Sequence, residues 1–217
     1  MRLTHLMAIR RRTPRLTAEQ VLEQERILLT GSAQAAFEFA RSTPGANVPA
    51  LQGRVLAHGD AWFAYQFARY APKADIAACQ DCVLAVGDGW LAYRFAMHVP
   101  KADTAACQAR ILAMGAGLDA TFFAADVPDA DVPALQQRVL MVGNGLNMYM
   151  FVRDVSTADV EALYARAQAL GFDGLVDEQQ RADFDKRLAE YRAQRQLLAG
   201  QSNVVVDAGA GPVAQAA

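Results

Sequence analysis

Six glycines stand at equal intervals along this chain: Gly31, Gly59, Gly87, Gly115, Gly143 and Gly171, one every 28 residues. Pro44, Pro72, Pro100 and Pro128 keep the same interval, as do Phe39, Phe67, Phe95, Phe123 and Phe151. A polar series, Asn47, Asp75, Asp103, Asp131 and Asp159, keeps it too. Several residue types locked to one period exclude coincidence, and a period of this size marks a repeat array whose units stack on one another.

The unit Gly59–Val86 shows how each repeat reads. Gly59 suits a left-handed residue ending the preceding helix, and Asp60 follows as an N-cap. Ser32, Asp88 and Asn144 hold the same place, with Ala116 as the weak member. A helix is predicted from about Ala61 to Ala71, halted by Pro72; Lys73 and Ala74 turn the chain; Asp75 caps a second helix over Ile76–Val86. Helices this short are marginal alone in water, so stacking must stabilise them. The expected fold is therefore all-α: a right-handed α-solenoid of about five 28-residue two-helix repeats with helical caps at both ends.

The caps are legible as well. Thr17-Ala18-Glu19-Gln20 has capping-box spacing, and Arg26, Ile27 and Leu28 are in register with Arg54, Val55 and Leu56, so the first helix is half a repeat. Beyond Gly171 the register fails, because Gln179 falls where Phe is due. A longer helix from about Glu178 to Ala199 follows, with Phe184, Leu188, Tyr191 and Leu198 on one stripe and charge elsewhere, as a polar-backed cap requires. The chain thus divides into a basic arm (1–15), the repeat domain (16–171), a capping helix (172–200) and a flexible tail (201–217).

Alanine and phenylalanine fill the inward face of the first helices: Ala64, Phe67, Ala68 and Ala71 in the type unit, with the Phe series as core plugs. The opposite face varies from unit to unit while the core positions hold, as recognition over a fixed frame requires. It carries Trp62, Tyr65, Gln66 and Arg69, then Trp90, Tyr93 and Arg94, then Leu118 and Phe122, then Leu146, Tyr149 and Met150. Trp, Tyr, Arg and Met are the types enriched where partners bind. The other reading of the tyrosines, that Tyr65, Tyr93 and Tyr149 pack between adjacent first helices, stays open. Leu118, Phe122, Leu146 and Met150 form an apolar patch suited to a protein partner or self-association.

The second helices carry two further ladders: Gln52, Gln80, Gln108 and Gln136, and Arg26, Arg54, Arg110, Arg138 and Arg166. Evenly spaced arginines suit phosphates, and with Arg10, Arg11 and Arg12 of the basic arm they define the alternative, a nucleic-acid contact through Arg54, Arg110 and Arg138. Cys82 interrupts the series, however, and nearby caps offer partners, so hydrogen bonding between helices is the expected role. Cys79 and Cys82 form a CxxC with Cys107 one repeat on and His98 in reach of the motif. Cys79 and Cys107 nevertheless occupy the slot of Leu51, Leu135 and Leu163, which reads as core variation rather than a zinc site.

No metal or cofactor is expected. Clustered phosphate-binding glycines and a nucleophile motif are both lacking, so no enzymatic activity is expected either. The net charge of −2 gives no general attraction for nucleic acid or membrane, and no apolar run reaches the roughly 18 residues of a membrane span. Three cysteines give no disulfide framework, which fits a cytoplasmic setting.

The pattern Gly-Asp…Tyr-x-Phe-Ala…Val-Pro-x-Ala-Asp, as in Gly87–Asp103, resembles the degenerate helical repeats of bacterial and phage α-solenoid proteins, over roughly Leu16 to Gly171. The resemblance is architectural and brings no residue-level roles; it implies an adaptor, inhibitor or scaffold. The leading expectation is a non-enzymatic protein-binding scaffold using the aromatic and Arg-rich face of the first helices. The alternatives are a nucleic-acid binder and a self-assembling structural component.

Overall fold

In the computed structural model, residues 15–174 and 177–207 are described. Residues 1–14 of the basic arm, with Arg10, Arg11 and Arg12, lie outside the described residues. Every regular element among those described is helical. A single helix, α1 (Ala18–Thr30), is followed by α2 (Ala33–Ser42) and α3 (Val48–Ala57), then α4 (Ala61–Tyr70) and α5 (Ile76–Val86). Next come α6 (Gly89–His98) and α7 (Thr104–Met114), α8 (Gly117–Asp126) and α9 (Val132–Val142), and α10 (Gly145–Asp154) and α11 (Val160–Ala169). A 3-10 turn, Gly171–Gly174, leads into α12 (Glu178–Asp207).

The helices begin where polar caps allow. Asp60, Asp75, Asp88 and Asp131 each accept the main-chain N–H three residues on, as do Ser32, Asn47, Asn144 and Asp159. The Thr17–Gln20 capping box forms in both directions. Ala116 has no side-chain acceptor, and the Asp119 carboxylate takes its N–H instead at 2.8 Å.

The glycine series corrects the expected helix ending. Only Gly59 (φ 63°) and Gly171 (φ 67°) are left-handed. Gly31, Gly87 and Gly143 have ordinary extended backbones, and there the requirement is space. A Cβ would stand 2.7 Å from the Ile27 carbonyl oxygen, and 2.5 Å from those of Val83 and Val139. The repeating left-handed residue is instead inside the turn between paired helices: Gly45 (φ 92°), Lys73 (59°), Lys101 (66°) and Asp129 (59°).

The chain forms two compact units, divided within α7 after Ile111. In the first, α1 packs on α2 and α3, α2 on α3 and α4, α4 on α5 and α6, and α3 on α5. First helices thus stack on first helices and second on second. In the second, α8 packs on α9 and α10, and α10 and α11 both meet α12. Phe67 and Phe95 are fully buried in the first unit with Leu51, Cys79, Val83 and Cys107; Phe123 and Phe151 are buried in the second with Leu135, Val139 and Leu163. Phe39 is only half-buried, while Phe37, in register with Tyr65, is buried against Phe63 and Phe67 of α4.

The last helix runs to Asp207, past Gln201, where the tail was expected to start; the remainder of that tail lies outside the described residues. Its apolar stripe is shorter than expected: Phe184 and Leu188 are buried, Tyr191 is half-buried, and Leu198 is exposed.

Candidate functional site

Within each unit, two ladders bind second helices to one another. The Gln52 amide donates to the Asp75 carbonyl (2.7 Å) and accepts from the Asp75 N–H (2.8 Å). Gln80 does the same to Asp103, both bonds at 2.9 Å. Gln136 accepts from Asp159 N–H at 2.7 Å, and Gln24 from Asn47 N–H at 2.7 Å. A planar amide matches a peptide group, so one side chain satisfies both polar groups at a helix start. Gln24 belongs to the series by register and extends it into the N-terminal cap.

The arginines of the same helices point to the glycine turns. Arg54 donates to the Gly31 carbonyl at 2.9 Å and Arg110 to that of Gly87 at 2.7 Å. Arg138 donates to the Gly115 carbonyl through two nitrogens, at 3.0 and 2.8 Å. Arg166 reaches the Leu140 carbonyl at 3.3 Å, and Arg26 pairs with Glu23 at the surface. The bonds of Arg54, Arg110, Arg138 and Arg166 satisfy carbonyls at helix C-termini, where a cation is favoured.

On the outer face of the first unit, the expected row separates into a floor and a rim. Tyr65 is fully buried and Tyr93 nearly so, which corrects the expectation that both face outward. Trp62 and Trp90 stay 41% and 39% exposed, while Gln66, Arg69 and Arg94 are half-buried. Trp62 leans on Tyr65 (centroids 5.7 Å apart) and Trp90 on Tyr93 (5.2 Å). The Arg94 guanidinium lies 5.9, 5.5 and 5.7 Å from the Trp62, Tyr65 and Trp90 rings, within cation–π range of all three. Arg69 donates to the Tyr65 hydroxyl at 2.6 Å, and Arg94 Nη2 stands 3.5 Å from the same oxygen. The Nε of Arg94 is buried without a hydrogen-bond partner. Burial, and then the charges of Arg69 and Arg94, hold the His98 pKa below its ordinary range.

In the second unit, Leu118 is exposed, and Phe122, Leu146 and Met150 are half-buried. Tyr149 is buried, again against expectation, and its hydroxyl donates to Asp183 of α12 at 3.2 Å. Asp183 also accepts from Arg187 at 2.7 Å, which holds its carboxyl below the usual range. The Phe184 ring sits 6.0 Å from Tyr149 at 57°, much as Phe95 sits 6.4 Å from Tyr65 at 57°. The sequence reading missed this pairing because α12 is out of register; the signal available was the Asp-Phe pair standing where Arg94-Phe95 stands in the first unit.

Cys79 and Cys107 are buried, and burial pushes both thiols up to about 12. Cys82 is half-buried and also raised by burial. Such thiols are protonated at neutral pH and lack nucleophilic thiolate. Among the described residues, no group of three or more His, Cys, Asp and Glu is placed to hold a metal ion, and no helix is long and apolar enough to cross a membrane. Compared with known proteins, the chain matches no family, no curated protein and no solved structure.

Proposed function

We propose that this chain is a non-enzymatic, cytoplasmic protein-binding scaffold, a right-handed α-solenoid of about five 28-residue repeats that receives its partner on the rim of the first helices. The observation that carries the reading is the pair Trp62 and Trp90, both exposed by about two-fifths above buried tyrosine neighbours. Large aromatic surface left in water, beside half-buried arginines, is the composition of a binding hot spot. The arginines of the nucleic-acid alternative, Arg54, Arg110 and Arg138, are already engaged with main-chain carbonyls. That supports a structural role for them.

The test is affinity capture from a lysate treated with nuclease, using the wild type and a Trp62→Ala/Trp90→Ala double variant. A protein partner retained by the wild type and lost by the variant, at nearly unchanged thermal stability, is the expected outcome. Equal capture by both, or a large fall in stability, sinks the reading.

A further inference from the structure

The tyrosine floor is built in both units, with a carboxylate among the arginines above it in the second. In the second unit, the residue before the packing phenylalanine is Asp183, which accepts from the Tyr149 hydroxyl and from Arg187 one turn on. Arg153 lies over the Tyr149 ring at 5.9 Å. In the first unit the corresponding residues are Tyr65, Arg69, Arg94 before Phe95, and His98 one turn on. The carboxylate at the centre of one site is a guanidinium in the other. Around Tyr65 stand two arginines and a histidine, and among the described residues neither arginine has an acidic partner. Both guanidiniums meet at the one Tyr65 hydroxyl, and their remaining terminal N–H groups face the half-open side of the site.

We infer that the cluster of Arg69 and Arg94, walled by Trp62 and Trp90, receives a carboxylate from an acidic partner segment, an Asp or Glu side chain flanked by apolar ones. The carboxylate pairs with these guanidiniums above the tyrosine hydroxyl as Asp183 pairs with Arg187 beside Tyr149 in the second unit, and the flanking apolar side chains cover the tryptophan faces. Both arginines are half-buried, so the carboxylate reaches them from outside while Tyr65 remains beneath. This inference rests on the protein-binding reading and adds the chemistry of the partner.

Trp62 and Trp90 are the only tryptophans in the chain, so fluorescence excited selectively at tryptophan reports this site alone. The full chain is titrated with a short blocked peptide of alternating glutamate and phenylalanine, with its glutamine counterpart, and with oligouridine. The glutamate peptide is expected to bind at least about tenfold more tightly than either, with affinity falling as salt is added. Arg94→Gln, and separately Arg69→Gln, are expected to remove about tenfold of that affinity while the helical circular dichroism is unchanged. Equal binding of the glutamate and glutamine peptides, or failure of both, overturns the inference, and so does oligouridine binding as tightly as the glutamate peptide. If the glutamate preference is lacking but Trp62→Ala/Trp90→Ala still abolishes partner capture, the scaffold reading stands and the carboxylate assignment falls.

Discussion

Gln80 is buried and spends both ends of its amide on the main chain of Asp103. Truncation to alanine leaves one N–H and one carbonyl at the start of α7 without their partners, each costing about 1–3 kcal/mol where water is excluded. Asp103 is exposed, so water offsets part of this, and Gln80→Ala is expected to cost about 2 kcal/mol, the low end of the sum. Asp103→Ala removes only the capping bond to Ala106, worth about 1 kcal/mol, because Gln80 holds the backbone and not the carboxylate. Urea unfolding of the two variants checks the order; an Asp103 variant as unstable as the Gln80 variant refutes the backbone clamp. The glutamine period was plain in the sequence, but its role was hidden, because a side chain whose partner is main chain has no complementary residue to find. Tyr65 was opaque for a related reason. One helical position outward from the core suits an exposed ring and a buried ring alike; the Arg69 donor stands one turn on in the same helix, but the Phe95 ring that packs on Tyr65 comes from the next first helix.

At the scale of elements, helix starts were legible because Asp, Asn and Ser caps act through bonds three residues away, within the reach of sequence pattern. The turns were less so. The residue after proline is left-handed in four successive repeats, yet only Gly45 announces it, while Lys73, Lys101 and Asp129 pay a steric cost. Lys73→Gly and Lys101→Gly are expected to stabilise by about 0.5–1 kcal/mol each, the relief of strain less the added freedom of the unfolded chain. A raised urea midpoint checks this, and a loss of stability in both variants would show that the strain is relieved elsewhere. The docking of α12 carries a pH dependence of its own. Its Asp183 is held below the ordinary value of 3.8, chiefly by the Arg187 bond, so the folded state binds the proton more weakly than the unfolded one. The stabilisation is complete above the ordinary carboxylate range and is lost as pH falls through the lowered value. The gap in stability between the wild type and Asp183→Asn should then be present at pH 7 and shrink toward pH 3; a gap independent of pH would remove Asp183 from the linkage.

For the whole molecule, the consequence of stacked helix pairs is that stability is shared between neighbours and the last layer depends on its cap. Phe184 is fully buried and Leu188 nearly so, and Tyr149, Tyr164 and Phe172 surround the Phe184 ring at 6.0, 5.1 and 6.4 Å. Burying two such side chains contributes roughly 3–6 kcal/mol, all of it at the C-terminal end of the second unit. Ending the chain at Gly174 withdraws that contribution and bares three aromatic rings. Every 1.4 kcal/mol is tenfold in an opening equilibrium, so backbone amides of α10 and α11 should exchange with deuterium at least on the order of 100-fold faster. Amides of α4 and α5, in the first unit, should keep their protection if stability is held between neighbours. Uniform acceleration across all helices would mean that the chain opens as one cooperative body, and the nearest-neighbour account of its stability would have to be given up.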